Sequence, residues 1–246
     1  FLSILASGTT DPDGLLRLVQ ERPAFEAARL AAASLLIEGG RGPEAVDLLD
    51  AASTTDASAA LLERLGAALL AAGDPRRAVA VLAPLTAGTA PTASADAWNM
   101  LGVGRAQLGQ RGEARRAMDR AVMMAPSAAR FRLNRAFVRL EDGDRAGALD
   151  DASQIVAQSP ELVDAWRLRA TLHYEAGQAQ AAIADWEKVV ALEPTDADAL
   201  FNIATAHDAA GNHDAAGQAA RRYLALPARP GSGADRTAMQ ALASRR

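Results

Sequence analysis

The chain has 246 residues, half of them hydrophobic but only 4% aromatic, with a formal net charge of −4 and no cysteine. A length in that range holds one large domain or two small ones. The composition excludes disulfides, thiolate metal sites and cysteine nucleophiles, offers no basic footprint for nucleic acid, and contains no apolar run near the roughly 18 residues a bilayer-spanning helix needs.

The opening Phe1–Ala6 is apolar but short, without a basic flank or an initiator Met. It reads as the remnant of an upstream signal or helix, and the chain as a piece of something longer. The lack of cysteine leaves the compartment open, cytoplasmic or periplasmic. The first predicted element is a helix over about 14–22, closed by Pro23. Beyond it the chain repeats. Gly40 with Ala45 is followed by Gly73 with Ala78 after 33 residues, and by Gly109 with Ala114 after a further 36. The surplus lies in the loop Ala87–Thr92, where a local bend is expected. From there the step is constant at 34 in four columns: Gly109, Gly143, Gly177 and Gly211; Ala114, Ala148, Ala182 and Ala216; Pro126, Pro160 and Pro194; Gly102, Ala136, Ala170 and Ala204. A shared period of that length marks an array of supersecondary units.

The physical logic of one copy is that of a helical hairpin. Residues 96–108 place Trp98, Leu101 and Leu108 at helical spacing, with Gly102 small where a second helix must approach. Gly109 is placed to end that helix in a left-handed cap. A second helix is predicted from about 113 to 124, with Ala114, Met118, Ala121 and Val122 on one face, and Pro126 sets the next boundary. One hairpin cannot cover its own apolar face, so the copies must stack. Two prolines and two glycines in Pro227–Gly233 then break the pattern, and a short helix over 235–244 is expected to turn Met239 and Leu242 inward and cap the last repeat face.

These columns resemble the tetratricopeptide repeat family, whose pattern asks for Trp, Leu-Gly, an aromatic, then Ala, Phe, Ala and Pro. Residues 95–128 supply Trp98, Leu101-Gly102, Ala114, Met118, Ala121 and Pro126; residues 163–196 supply Trp166, Ala170, Ala182, Trp186, Val189 and Pro194. In 26–94 the Trp column is empty. The resemblance implies an all-α fold, a right-handed superhelical solenoid of antiparallel helix pairs. It would comprise a partial repeat in 1–25, repeats at 26–58, 59–94, 95–128, 129–162, 163–196 and 197–230, and a capping helix or tail at 231–246.

Two copies carry arginine in an apolar column, Arg135 and Arg169, and the same two copies carry aspartate sixteen residues on, Asp151 and Asp185. Because the charges come and go together, they read as structural ion pairs between the helices of one hairpin, with a ligand role as the alternative. His173 and His207 share a column, which raises a metal site, but no third ligand is evident and the histidines read as replacements for a core aromatic. No catalytic elbow, phosphate-binding loop or metalloprotease motif is present, so no catalytic residue and no cofactor is expected.

The family's binding surface is the concave groove lined by first helices, and its columns fall here on Asn99 and Val103; Arg130, Leu133, Asn134 and Phe137; Arg167, Thr171 and Tyr174; Phe201, Asn202 and Thr205. Amides, aromatics and arginine together suit an extended peptide, while the same positions also read as ordinary solvated helix residues. A carboxylate clamp for acidic C-terminal peptides does not fit. Its columns hold Asn99, Val103, Asn134, Asp164 and Leu168, of which only Asn134 matches. The resemblance therefore implies a non-catalytic scaffold for a protein or peptide of unknown identity. The alternative is a non-catalytic segment of a larger enzyme or transport assembly. Oligomeric state is left open.

Overall fold

A computed structural model describes residues 12–53, 57–87, 93–228 and 233–244. The opening Phe1–Ala6, most of the loop Ala87–Thr92 with its expected bend, and the centre of Pro227–Gly233 lie outside the described residues. Among those described, every regular element is helical. The chain divides into two compact units, 1–142 and 143–246.

The first unit contains α1 (Pro12–Glu21), α2 (Glu26–Glu38), α3 (Gly42–Asp50), α4 (Ala59–Ala71), α5 (Pro75–Leu82, extended by a 3₁₀ turn at Ala83–Thr86), α6 (Ala95–Gln107), α7 (Arg111–Met124) and α8 (Ala129–Glu141). Each helix packs on the next, and the first helices of successive pairs also touch: α2 on α4, α4 on α6, α6 on α8. The second unit contains α9 (Arg145–Gln158), α10 (Val163–Glu175), α11 (Ala179–Leu192), α12 (Ala197–Ala209), α13 (His213–Ala225) and α14 (Gly233–Ser244), again packed in order, with α14 against both α13 and α12. Both units are stacks of antiparallel helix pairs, the all-α solenoid architecture that the sequence implies.

The turns explain the repeating glycine. Gly40, Gly73, Gly109, Gly143, Gly177 and Gly211 have φ between 72° and 79°, and no other described residue has positive φ. Only a residue without a Cβ enters that region cheaply. Around Gly177 the cap is complete. The Gly177 amide donates to Tyr174 O at 2.9 Å and the Gln178 amide to His173 O at 2.8 Å, closing the last carbonyls of α10. The small residues of the other glycine column are steric. A Cβ on Gly102 would lie 2.6 Å from Met118 Cγ and 3.1 Å from the Ala114 carbonyl, which is how closely α6 and α7 approach.

The cores are correspondingly alanine-rich. In the second unit Ala170, Ala182, Ala204 and Ala220 are fully buried beside Trp186, Val189, Leu200 and Tyr223, and the cluster continues into Met239 and Leu242 of α14. Arg236 fastens that last helix, donating to Leu224 O at 2.9 Å and Leu226 O at 3.2 Å at the end of α13, where cations are favoured.

Candidate functional site

The groove residues named from sequence fall on α6, α8, α10 and α12, the first helices of their pairs. Their partners divide them sharply. In the first unit Asn99 is buried, and its Oδ1 accepts from Asn134 Nδ2 at 2.9 Å. Arg130 is ion-paired with Asp96 of the neighbouring first helix. Phe137 has no such engagement and is 50% exposed. It forms one wall of an apolar hollow of about 200 Å³ with Val103, Ala106, Met118 and Val138, and Asn134 and Glu141 stand at its edge.

In the second unit Arg167 is the hub of a carboxylate cluster. It donates to Asp196 at 2.7 and 2.9 Å, to Asp164 at 2.8 Å and to Glu193. Partial burial works against its charge, but hydrogen bonds with Asp196 and Asp164 and the attraction of Asp196 and Glu193 outweigh that and push its pKa up. Asp196 at the same time caps α12, accepting from the Ala199 amide at 2.8 Å. Thr171 and Thr205 spend their hydroxyls on helix carbonyls, at 3.0 Å to Arg167 O and 3.0 Å to Phe201 O. Asn202 joins Arg167, Thr171 and Trp186 around a second hollow of about 200 Å³. Tyr174 is half exposed, its ring 5.5 Å from that of Trp186, and Phe201 is partly covered, its ring edge-on to Tyr223 at 6.1 Å.

Arg169 holds both oxygens of buried Asp185, at 2.7 and 2.8 Å, and lies over the Trp166 ring at 4.8 Å. Arg135 donates to Asp119 of α7 at 2.9 Å, a partner sixteen residues before it that the sequence pattern did not single out. Asp151 is fully buried in the second unit. His173 Nδ1 sits 2.5 Å from Gln178 Oε1 and its Nε2 3.9 Å from Asp185. The Nδ1 of His207 is buried without a hydrogen-bond partner. Among the described residues no group of three or more His, Cys, Asp or Glu is placed to hold a metal, and no helix is long and apolar enough to cross a membrane.

Sequence reasoning missed two sets of contacts. Trp166 Nε1 donates to Pro160 O at 2.8 Å, and Arg132, 34 residues earlier in the same column, donates to Pro126 O at 2.9 Å. Arginine thus does the tryptophan's hydrogen bonding, and the constant six-residue offset from the repeating proline was the available signal. The second set joins successive first helices. Glu26 accepts from Ser58 Oγ at 2.5 Å, and Glu63 accepts from Ser94 N and Oγ at 2.9 and 2.8 Å. Both serines are N-caps, of α4 and α6, so one side chain ends a loop and ties two repeats together.

Comparison with known proteins agrees with this architecture. The tetratricopeptide repeat family matches residues 100–163 and 167–233, more than half of the chain. The chain belongs to that family, a class of protein-interaction repeats. Among solved structures, it is similar to a MamA structure from Desulfovibrio magneticus RS-1, at 18% identity and a TM-score of 0.59 over 68% of this chain and 93% of that one. A chain of the Cut9–Hcn1 hetero-tetramer of APC/C matches at 15% identity and a TM-score of 0.70, over 98% of this chain and 47% of that one. YrrB, described as a TPR protein with an unusual peptide-binding site, matches at 20% identity and a TM-score of 0.56, over 77% and 97%. A search of curated proteins finds no matching sequence.

Proposed function

We propose that the chain is a non-catalytic scaffold that holds an extended segment of another protein against the faces built by its first helices. The observation that carries this is selective exposure. On α8 and α10 the charged and amide groups are largely engaged inside their own unit, whereas Phe137 and Tyr174 present half-bare rings to solvent. Aromatic rings supply large contact area at little entropic cost, and they are the residues that interfaces concentrate. The peptide-binding site named for YrrB is in keeping with this reading. The Cut9–Hcn1 match, in which this chain spans about half of the other, supports the alternative that such a scaffold serves within a larger assembly.

The test is site-specific photocrosslinking in cells of origin, with the crosslinker at Phe137 or Tyr174 and, as the contrast, at the exposed second-helix positions Arg116 or Glu187. The proposal expects discrete protein adducts from the first pair only. Adducts confined to Arg116 or Glu187 would refute it.

A further inference from the structure

The hollow beside Phe137 has a shape and an edge that specify more than a generic peptide. Its walls are the side chains of Val103, Ala106, Met118, Phe137 and Val138. Gln107 of α6 also lines it, and two polar groups on α8 frame it, since Asn134, Phe137 and Glu141 stand at i, i+3 and i+7 and so share one face of that helix. Asn134 gives one amide hydrogen to buried Asn99, which orients it. That leaves its second amide hydrogen and its carbonyl oxygen to meet a backbone peptide group. Glu141 is 55% exposed, and its contact with Arg111 is long, 3.8 Å, between two solvated ends. A pair of that kind holds its carboxylate weakly.

We infer that the α6–α8 hollow is a subsite for an extended partner segment carrying a large apolar side chain and, two residues away, a lysine or arginine. The spacing follows from two repeats of different pitch. Four helical residues separate Phe137 from Glu141, a rise of about 6 Å. Two residues of extended chain cover about 6.6 Å and turn their side chains to the same side. The apolar side chain therefore enters the hollow under Phe137 while the cation reaches Glu141, and the backbone on the other side of the apolar residue, away from the cation, runs past Asn134. An acidic residue at the second place would face Glu141 and be rejected. This subsite rests on the scaffold reading above and gives it a ligand chemistry.

The experiment uses the full chain as bait for a phage-displayed library of random twelve-residue peptides, followed by fluorescence-anisotropy titration of an enriched peptide. Enriched sequences should share an apolar residue two places from Lys or Arg, in one order or the other according to the direction of binding. Phe137→Ala should weaken the titrated peptide at least about tenfold. Glu141→Lys should weaken it about fivefold, and exchanging the peptide's cation for Glu should restore binding to that variant alone. Phe137 and Glu141 are both half exposed or more, so neither change threatens the fold. Enriched peptides without the motif, or with affinity unchanged in Phe137→Ala and Glu141→Lys, would overturn the subsite and leave the scaffold reading standing. A library that yields no enriched peptide would overturn both.

Discussion

Replacing Arg169 by Met would test whether the second unit depends on its buried ion pair. The Asp185 side chain is 6% exposed and the Arg169 side chain 21%, and two charge-assisted hydrogen bonds of 2.7 and 2.8 Å join them. Removing one partner of a buried pair costs about 3–5 kcal/mol, because the other is left charged and dry. Here the polar His173 ring stays beside the carboxylate, with Nε2 3.9 Å from Asp185, and the position of Arg169 is partly open to water. Those reliefs lower the expected loss to about 2–4 kcal/mol. Asp185→Leu should cost less, about 1–3 kcal/mol, since the guanidinium keeps its place over Trp166 and its access to water. The double variant, apolar on both sides, should fall within about 1 kcal/mol of the parent. Urea unfolding followed by tryptophan fluorescence measures this in a Trp98→Phe background, where Trp166 and Trp186 report on the second unit alone. Single variants within about 0.5 kcal/mol of the parent, or losses that simply add in the double variant, would refute the reasoning.

Gly102→Ala should destabilise by about 1–3 kcal/mol, because its Cβ would meet Met118 Cγ at 2.6 Å. Gly112→Ala, with nothing within 4 Å of the new Cβ, should instead stabilise α7 by about 0.5–1 kcal/mol, both read from thermal unfolding. Met239→Ala removes a fully buried side chain, yet its cost is capped by the docking free energy of α14, because that helix can detach. Hydrogen exchange should therefore quicken in α14 and on the α13 surface beneath it, with the first unit unchanged. A hydrogen bond from Arg41 holds the Glu44 carboxyl below its ordinary pKa. A group depressed in this way contributes stability above the unfolded carboxylate value and loses it as pH falls through the folded one. Arg41→Ala should move the Glu44 titration upward by NMR.

The repeat was legible because its columns answer to local physics. A turn at φ near 75° admits glycine and little else, so that position keeps one residue type, and the close helix approach at Gly102 admits only small side chains, so its column holds Gly102, Ala136, Ala170 and Ala204 at the same step. Helix α14 was legible for a related reason, since Met239 and Leu242 are the apolar spacing that an otherwise polar tail has no other use for. What lay between copies was not. Asn99 and Asn134 look alike as groove amides, and only the approach of α6 to α8 shows that one is buried and binds the other. Arg167 had the same fate, its guanidinium surrounded by carboxylates of its own unit that lie from three residues before to 29 residues after it. Arg132 was hidden by a change of residue type, although its bond to Pro126 O reproduces that of Trp166. The Asn99–Asn134 contact and the distant carboxylates of Arg167 depend on how successive helices meet, which hydrophobic periodicity does not encode.

The role assigned to the first helices meets its most direct check in hydrogen–deuterium exchange of the chain with and without a bound partner peptide. Slowed exchange should concentrate in α6 and α8 or in α10 and α12, around Phe137 or Tyr174, while α7 and α11 exchange as before. Protection centred on α7 or α11, with the first helices unaffected, would contradict the account.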